Sequence, residues 1–165
     1  MSETVIGNKY ILECIIGRGK FGVVYKGRHR DKGEKVAIKT ETDSAFKVLR
    51  HEATVLNYLF YNDVRNIPVV YWFGQHVNMT CLIMSYYTCN LCDYIANKGH
   101  MDKAKLGSIM IKCIHILESI HKYYVLHRDV KPQNFMVRDG DLYIIDFGLS
   151  TVFIDEDGKH VIKKD

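Results

Sequence analysis

The run from residue 125 to 150 constrains this chain most. It reads Val-Leu-His-Arg-Asp-Val-Lys-Pro-Gln-Asn-Phe-Met-Val, a short polar turn, then Leu-Tyr-Ile-Ile-Asp-Phe-Gly-Leu-Ser. Two carboxylates, Asp129 and Asp146, fall in polar loops beside short runs rich in β-branched and aromatic residues, and Lys131 and Asn134 lie between them. An ammonium, an amide and two carboxylates gathered in so short a span suit a metal-bound polyphosphate and a hydroxyl that must lose its proton. Phe135, Met136 and Val137 pair in this reading with residues 142–145, because Asp139-Gly140 is a strong hairpin-turn signal. His127 is expected to pack and hydrogen-bond rather than to transfer protons.

With 165 residues, 47% hydrophobic and 25% charged, the chain has the composition of one ordinary globular domain. A net charge of +4 is too slight a bias to argue for nucleic acid. No apolar run is long enough to span a bilayer, and the first residues lack a signal-peptide core. The five cysteines are odd in number and sit in apolar patterns, which points to thiols in cytosol or nucleus. Cys89-x-x-Cys92 has neither a second pair nor a neighbouring histidine, so a zinc site is not expected there.

The amino-terminal half reads as strands. Residues 9–17 and 21–28 are β-rich, and Gly17-Arg18-Gly19-Lys20-Phe21-Gly22 joins them, followed by Val23 and Val24. Glycines let backbone approach phosphate oxygens and accept positive φ. A dinucleotide site needs a helix directly after such glycines; here a second strand follows, which fits a hairpin lid over a triphosphate better. Residues 35–40 form a third strand, on which alternation puts Ala37 and Lys39 on one face. Ala37 is small enough for a planar base to lie against it. Residues 43–59 read as a helix, capped by Asp43 or Ser44, with Phe46, Leu49, Ala53, Leu56 and Leu59 at helical spacing. Glu52 is the one carboxylate inside it, while Arg50 and His51 face water. Residues 69–75 and 79–85 are two more strands around His76-Val77-Asn78, giving five strands and one helix.

Residues 90–98 form a short helix in which Asp93 either joins the cap with Asn90 or touches a ribose hydroxyl. Asp102 caps a long helix running to about Tyr124, with Leu106, Ile109, Met110, Ile111, Cys113, Ile114, Ile116, Leu117 and Ile120 as apolar positions. Lys112, His115 and Ser119 are its polar stripe. A helix apolar around so much of its girth expects neighbours on several sides.

The set Gly17-Gly19-Gly22, Lys39, Glu52, His127-Arg128-Asp129, Lys131, Asn134 and Asp146-Phe147-Gly148 resembles the eukaryotic-type protein kinases. Ile-Ile-Gly-Arg-Gly-Lys-Phe-Gly, His-Arg-Asp-Val-Lys-Pro-Gln-Asn-Phe and Tyr-Ile-Ile-Asp-Phe-Gly-Leu-Ser resemble the casein kinase I branch, as does the short span from Lys39 to Glu52. The resemblance covers about residues 10–150. It implies an α+β fold in which residues 1–84 form an amino-terminal lobe with a five-stranded antiparallel sheet and one helix. Residues 85–88 would be a hinge, and residues 89–165 a partial, mainly helical carboxy-terminal lobe ending within the activation segment, all as a single kinase domain. It implies Ser/Thr phosphorylation of protein substrates with ATP and Mg²⁺.

By the same resemblance Asp129 is the catalytic base, Lys131 steadies the γ-phosphate, and Asn134 and Asp146 are the metal ligands. Lys39 reaches the α- and β-phosphates and Glu52 holds it. Ile16, Gly17, Arg18, Gly19, Lys20, Phe21, Gly22, Val23 and Val24 form the lid. Ala37, Met84, Tyr86, Met136 and Ile145 complete the nucleotide pocket, with Met84 gating its back and hinge backbone meeting the adenine edge.

The departure from the family lies after Ser150. Residues 152–162 could form a hairpin about Asp157-Gly158. The peptide-docking loop and helical block that follow in the family are not in this sequence, so the long helix is expected to present an apolar face that a partner chain could cover. A nucleotide-binding regulatory module and a fragment of a longer kinase are the alternatives to an active enzyme.

Overall fold

The computed structural model describes residues 3–19, 22–42, 47–99, 101–154 and 157–161. The chain divides into two compact units, one of Met1–Asn57 with Pro68–Tyr87 and the other of Tyr58–Ile67 with Thr88–Asp165.

Alternation of apolar and polar residues builds the first unit. Strands β1 (Val5–Ile6), β2 (Tyr10–Gly19), β3 (Gly22–His29), β4 (Lys35–Thr42), β5 (Val70–His76) and β6 (Met79–Ser85) form one sheet in the order β1-β2-β3-β4-β6-β5. All its pairings are antiparallel. The five expected strands are joined by β1, a two-residue edge strand too short to show a period. On β4 the inward face carries Val36, Ile38 and Thr40, all buried, while Ala37 and Lys39 share the half-buried opposite face. Ile6, Tyr10, Val36, Ile38, Cys81 and Ile83 form one apolar cluster, with Leu12, Tyr25, Trp72 and Met79 packed around it. Cys81 is fully buried there, and that burial pushes its thiol up to about 11.

Helix α1 (Val48–Tyr61) starts later than the sequence pattern suggests. Asp43, Ser44 and Phe46 lie outside the described residues, and Lys47 has φ +45°, which excludes it from the helix. Leu49, Ala53, Leu56 and Leu59 form the buried stripe, and Arg50 and His51 are exposed, as expected.

In the second unit, Asn90 caps α2 (Leu91–Lys98) by accepting from Asp93 N–H at 2.9 Å, and its own Nδ2 donates to Asp93 Oδ2 at 2.7 Å. The structure thus gives Asp93 the capping role, one of its two expected readings. Asp102 caps α3 (Lys103–His121) through Lys105 N–H at 2.7 Å. The helix stops at His121 rather than near Tyr124, because Tyr124 turns to φ +60°. Strands β7 (Cys89–Asn90), β9 (Phe135–Arg138) and β10 (Asp141–Ile144) form a small antiparallel sheet, and β8 (Val125–Leu126) pairs with β11 (Thr151–Val152). The β9–β10 turn has Asp139 at φ +55° and Gly140 at φ +87°, the left-handed pair that a two-residue hairpin needs. Ile154 bridges His160, and Val161 N–H donates to Phe153 O at 2.9 Å, so most of the expected final hairpin is present; Ile162 lies outside the described residues.

Of the apolar positions on α3, only Ile116 and Ile120 are buried. Met110, Ile111 and Ile114 are 58%, 54% and 60% exposed, so this helix does present the open apolar face expected of it.

Candidate functional site

The first unit supplies a buried ion pair. Lys39, from the middle of β4, donates from Nζ to both carboxylate oxygens of Glu52, at 2.6 and 2.9 Å. Glu52 lies on the buried stripe of α1 and its side chain is 1% exposed. A carboxylate this dry is stable only beside a cation that satisfies both oxygens. Ala37 sits two residues before Lys39 on the same face of β4, opposite Met84 of β6, which is buried. Tyr86 follows the end of β6 and is half-buried.

The lid hairpin needs a correction. Gly17, Gly19 and Gly22 lie outside the left-handed region, so none of them is present for positive φ. Gly22 is required for another reason: a Cβ there would collide with the carbonyl oxygen of Thr40 on β4. Among the described residues, a Cβ on Gly19 would meet nothing within 4 Å. Ile16 is exposed and Val23 and Val24 are half-buried; Gly17 pairs with Val24 and Arg18 with Val23 across β2 and β3. Lys20 and Phe21 lie outside the described residues.

The second unit gathers the polar groups of residues 127–146. After β8 the chain enters a loop in which Arg128 takes φ +67°, and after β10 Asp146 takes φ +70° and ψ +68°. Neither is glycine, and the left-handed region costs an ordinary residue about 1–2 kcal/mol. His127 holds the two loops together. Its Nδ1 accepts from Asp129 N–H at 3.2 Å, so the proton is on Nε2, which donates to Ile145 O at 2.9 Å. The ring is buried and meets Phe147 edge-on at 4.9 Å. The residues just before the two strained positions are therefore clamped to each other, as the sequence reading of His127 as a packing residue expects.

Asp129 is oriented from both sides. Its Oδ2 accepts from Lys131 Nζ at 2.7 Å and from Asn134 Nδ2 at 2.8 Å, and its backbone oxygen accepts a second bond from that amide at 2.8 Å. Among the described residues no donor reaches Oδ1. The hydrogen bond from Lys131 is the largest of the effects that hold the Asp129 carboxyl below the usual carboxylate range; the Asn134 hydrogen bond and the charge of Lys131 add to it, against partial desolvation.

Asn134 is buried at the end of a 3₁₀ turn (Pro132–Asn134), and Ile145 N–H donates to its backbone oxygen at 2.9 Å. The nitrogen of its side-chain amide is committed to Asp129, so the oxygen is the end left to face a cation. Asp146, half-buried, adds a carboxylate. Hard oxygen donors of this kind fit Mg²⁺, which takes one or two protein oxygens and completes its shell with water and phosphate. Met136 on β9 and Ile145 after β10 are half-buried, so each keeps part of its surface open.

One feature escaped sequence reasoning. Glu41, at the end of β4, is a buried carboxylate whose Oε2 accepts from Leu49 N–H at 3.3 Å in the first turn of α1. Its position two residues beyond Lys39 was the available signal.

Comparison with known proteins agrees with the resemblance carried by these residues. The chain is 30% identical to casein kinase I homolog 1 of Saccharomyces cerevisiae over 97% of its own length, and it spans 31% of that relative's length. It matches the protein kinase domain over residues 10–163, nearly its whole length, and so belongs to the protein kinase domain family.

Proposed function

We propose that this chain is a serine/threonine protein kinase of casein kinase I type, with ATP as phosphoryl donor and Mg²⁺ as cofactor. The observation that carries the reading is the state of Asp129: one carboxylate oxygen is pinned by Lys131 and Asn134, and the other has no donor among the described residues. In the proposed reaction Oδ1 accepts the hydrogen bond of a serine or threonine hydroxyl and orients its oxygen. A carboxylate held below its usual range stays ionised near neutrality and takes the proton only as the hydroxyl acidifies in a loose transition state.

Lys131 offsets charge on the transferred group, and Asn134 and Asp146 would hold the metal. Mg²⁺, when bound, neutralises charge on the phosphate oxygens. Lys39 would bind the α- and β-phosphates, with Glu52 fixing its direction. The glycine hairpin would cover the phosphates. Ala37, Met84, Met136 and Ile145 would enclose the base, with backbone near Tyr86 on its edge. The acceptor would be a protein. All five cysteines are unpaired thiols, which supports a cytosolic or nuclear setting. Among the described residues no helix is long and apolar enough to cross a membrane.

The test is transfer of labelled γ-phosphate from ATP to casein by this chain. Asp129→Asn should lower turnover about 10²–10⁴-fold, with nucleotide affinity unchanged by calorimetry; equal transfer by both forms overturns the assignment. The exposed Met110, Ile111 and Ile114 favour a second reading, a nucleotide-binding module that acts through a partner chain covering α3. That reading expects a thermal shift with Mg-ATP and no phosphate transfer.

A further inference from the structure

Lys39 and Glu41 are two residues apart on β4 and so lie on one face of the strand. Each makes a bond to α1: Lys39 to the carboxylate of Glu52, and Glu41 to the backbone N–H of Leu49. Leu49 and Glu52 are three residues apart and so lie on one face of the helix. The strand and the helix are thus joined by two parallel ties. A single tie through a long, flexible lysine leaves the helix free to rotate and to slide along the strand. A second tie, from a shorter side chain to the helix backbone itself, removes that freedom. The signs also agree, since the helix N-terminus is a partial positive charge facing a carboxylate.

The first turn of α1 holds no acidic residue, and Glu41 brings a carboxylate to it from another element. Glu41 also lines a cavity of about 260 Å³ with Lys47, Arg50, Phe73, Gly74, Gln75 and Thr80, which gives its side chain room to swing away once the bond is lost.

We propose that Glu41 is a positioning residue for the Lys39–Glu52 pair: it sets the register of α1 against β4 so that Glu52 meets Lys39. The purpose of that pair rests on the proposed function, but the coupling does not, and it can be measured without nucleotide. An ammonium held by two carboxylate oxygens is a poor nucleophile. The rate at which Lys39 is acetylated by trace isotopic acetic anhydride, read by mass spectrometry, therefore reports whether Glu52 is in place.

Glu41→Gln keeps an acceptor oxygen and should leave the Lys39 rate close to that of the unmodified chain. Glu41→Ala should raise it about fivefold, the equilibrium change that loss of one capping hydrogen bond produces. In a Glu52→Gln background, already raised, Glu41→Ala should add nothing further. If Glu41→Ala does not fold by circular dichroism, Glu41→Asp is used instead. It keeps the charge, stops one methylene short of Leu49, and should raise the rate alike.

The proposal is overturned if Lys39 stays protected in the folded Ala or Asp variant while only the unfolding midpoint falls. It is equally overturned if the effects of Glu41→Ala and Glu52→Gln multiply. Failure of phosphate transfer to casein would leave these rates untouched, so the two readings fail separately.

Discussion

The molecule holds two lysine–carboxylate pairs, one in each unit, and they work under opposite conditions. Lys39 and Glu52 come from different elements, and their side chains are 15% and 1% exposed. Lys131 and Asp129 are two residues apart in one loop, and theirs are 46% and 27% exposed. The contact distances are nearly the same, 2.6 and 2.7 Å. The energies should not be, because Coulomb attraction and the penalty for losing a partner both grow as water is excluded. The first pair therefore fixes where a helix sits. The second adjusts the charge state of a single carboxylate.

The largest expected effect comes from breaking the dry pair. Glu52→Ala removes the carboxylate that accepts both bonds from Lys39 Nζ and should cost about 3–5 kcal/mol. The one tryptophan, Trp72, lies in the first unit and makes its denaturant unfolding measurable by fluorescence. Removing both charges together sharpens the point. The double variant Lys39→Met with Glu52→Leu should regain most of that loss, ending within about 1 kcal/mol of the starting chain. A double variant as unstable as the single one would show that the pair is not limited by desolvation, and the contrast would collapse.

The smallest effect belongs to the wet pair. Lys131→Ala should cost no more than about 1 kcal/mol near neutral pH. Its signature is in the titration. Asp129 has a folded-state pKa below its unfolded one, so its contribution to stability is present above the unfolded value and is lost as pH falls through the folded value. Removing Lys131 should move the Asp129 midpoint up toward the ordinary carboxylate range, seen in the pH dependence of its carboxyl ¹³C shift, and should start acid unfolding at a slightly higher pH. An unmoved midpoint would mean that Asn134 alone orients the carboxylate.

What the sequence reveals and conceals follows the same division between local and distant causes. The β9–β10 turn, the caps at Asn90 and Asp102 and the alternation on β4 depend on neighbours a few residues away, and all were legible. The pairing of Lys39 with Glu52 was legible only through family resemblance, because nothing local marks a helical glutamate as buried. Glu41 was missed since its partner is a backbone N–H in another element, which no side-chain pattern records. The lid glycines were read as allowing close approach to phosphate and positive φ; the φ reason does not apply, and Gly22 also lets β3 approach the Thr40 carbonyl. That is a constraint from the neighbouring strand. The left-handed conformations of Arg128 and Asp146 were invisible for a related reason: the clamp through His127 and Ile145 sustains them.

The buried thiol of Cys81 has a practical consequence. A sulfhydryl pushed up to about 11 and closed off within the sheet is almost inert to alkylation while the sheet is shut. Cys113, on α3 in the other unit, is half-buried and also raised by burial. The protein thus carries native chemical clocks in both units, Cys81 in the first and half-buried Cys89 and Cys113 in the second, while exposed Cys14 and Cys92 react first and set the zero of time. Pulse-labelling their order of modification would rank how readily each half breathes, without adding a probe to either.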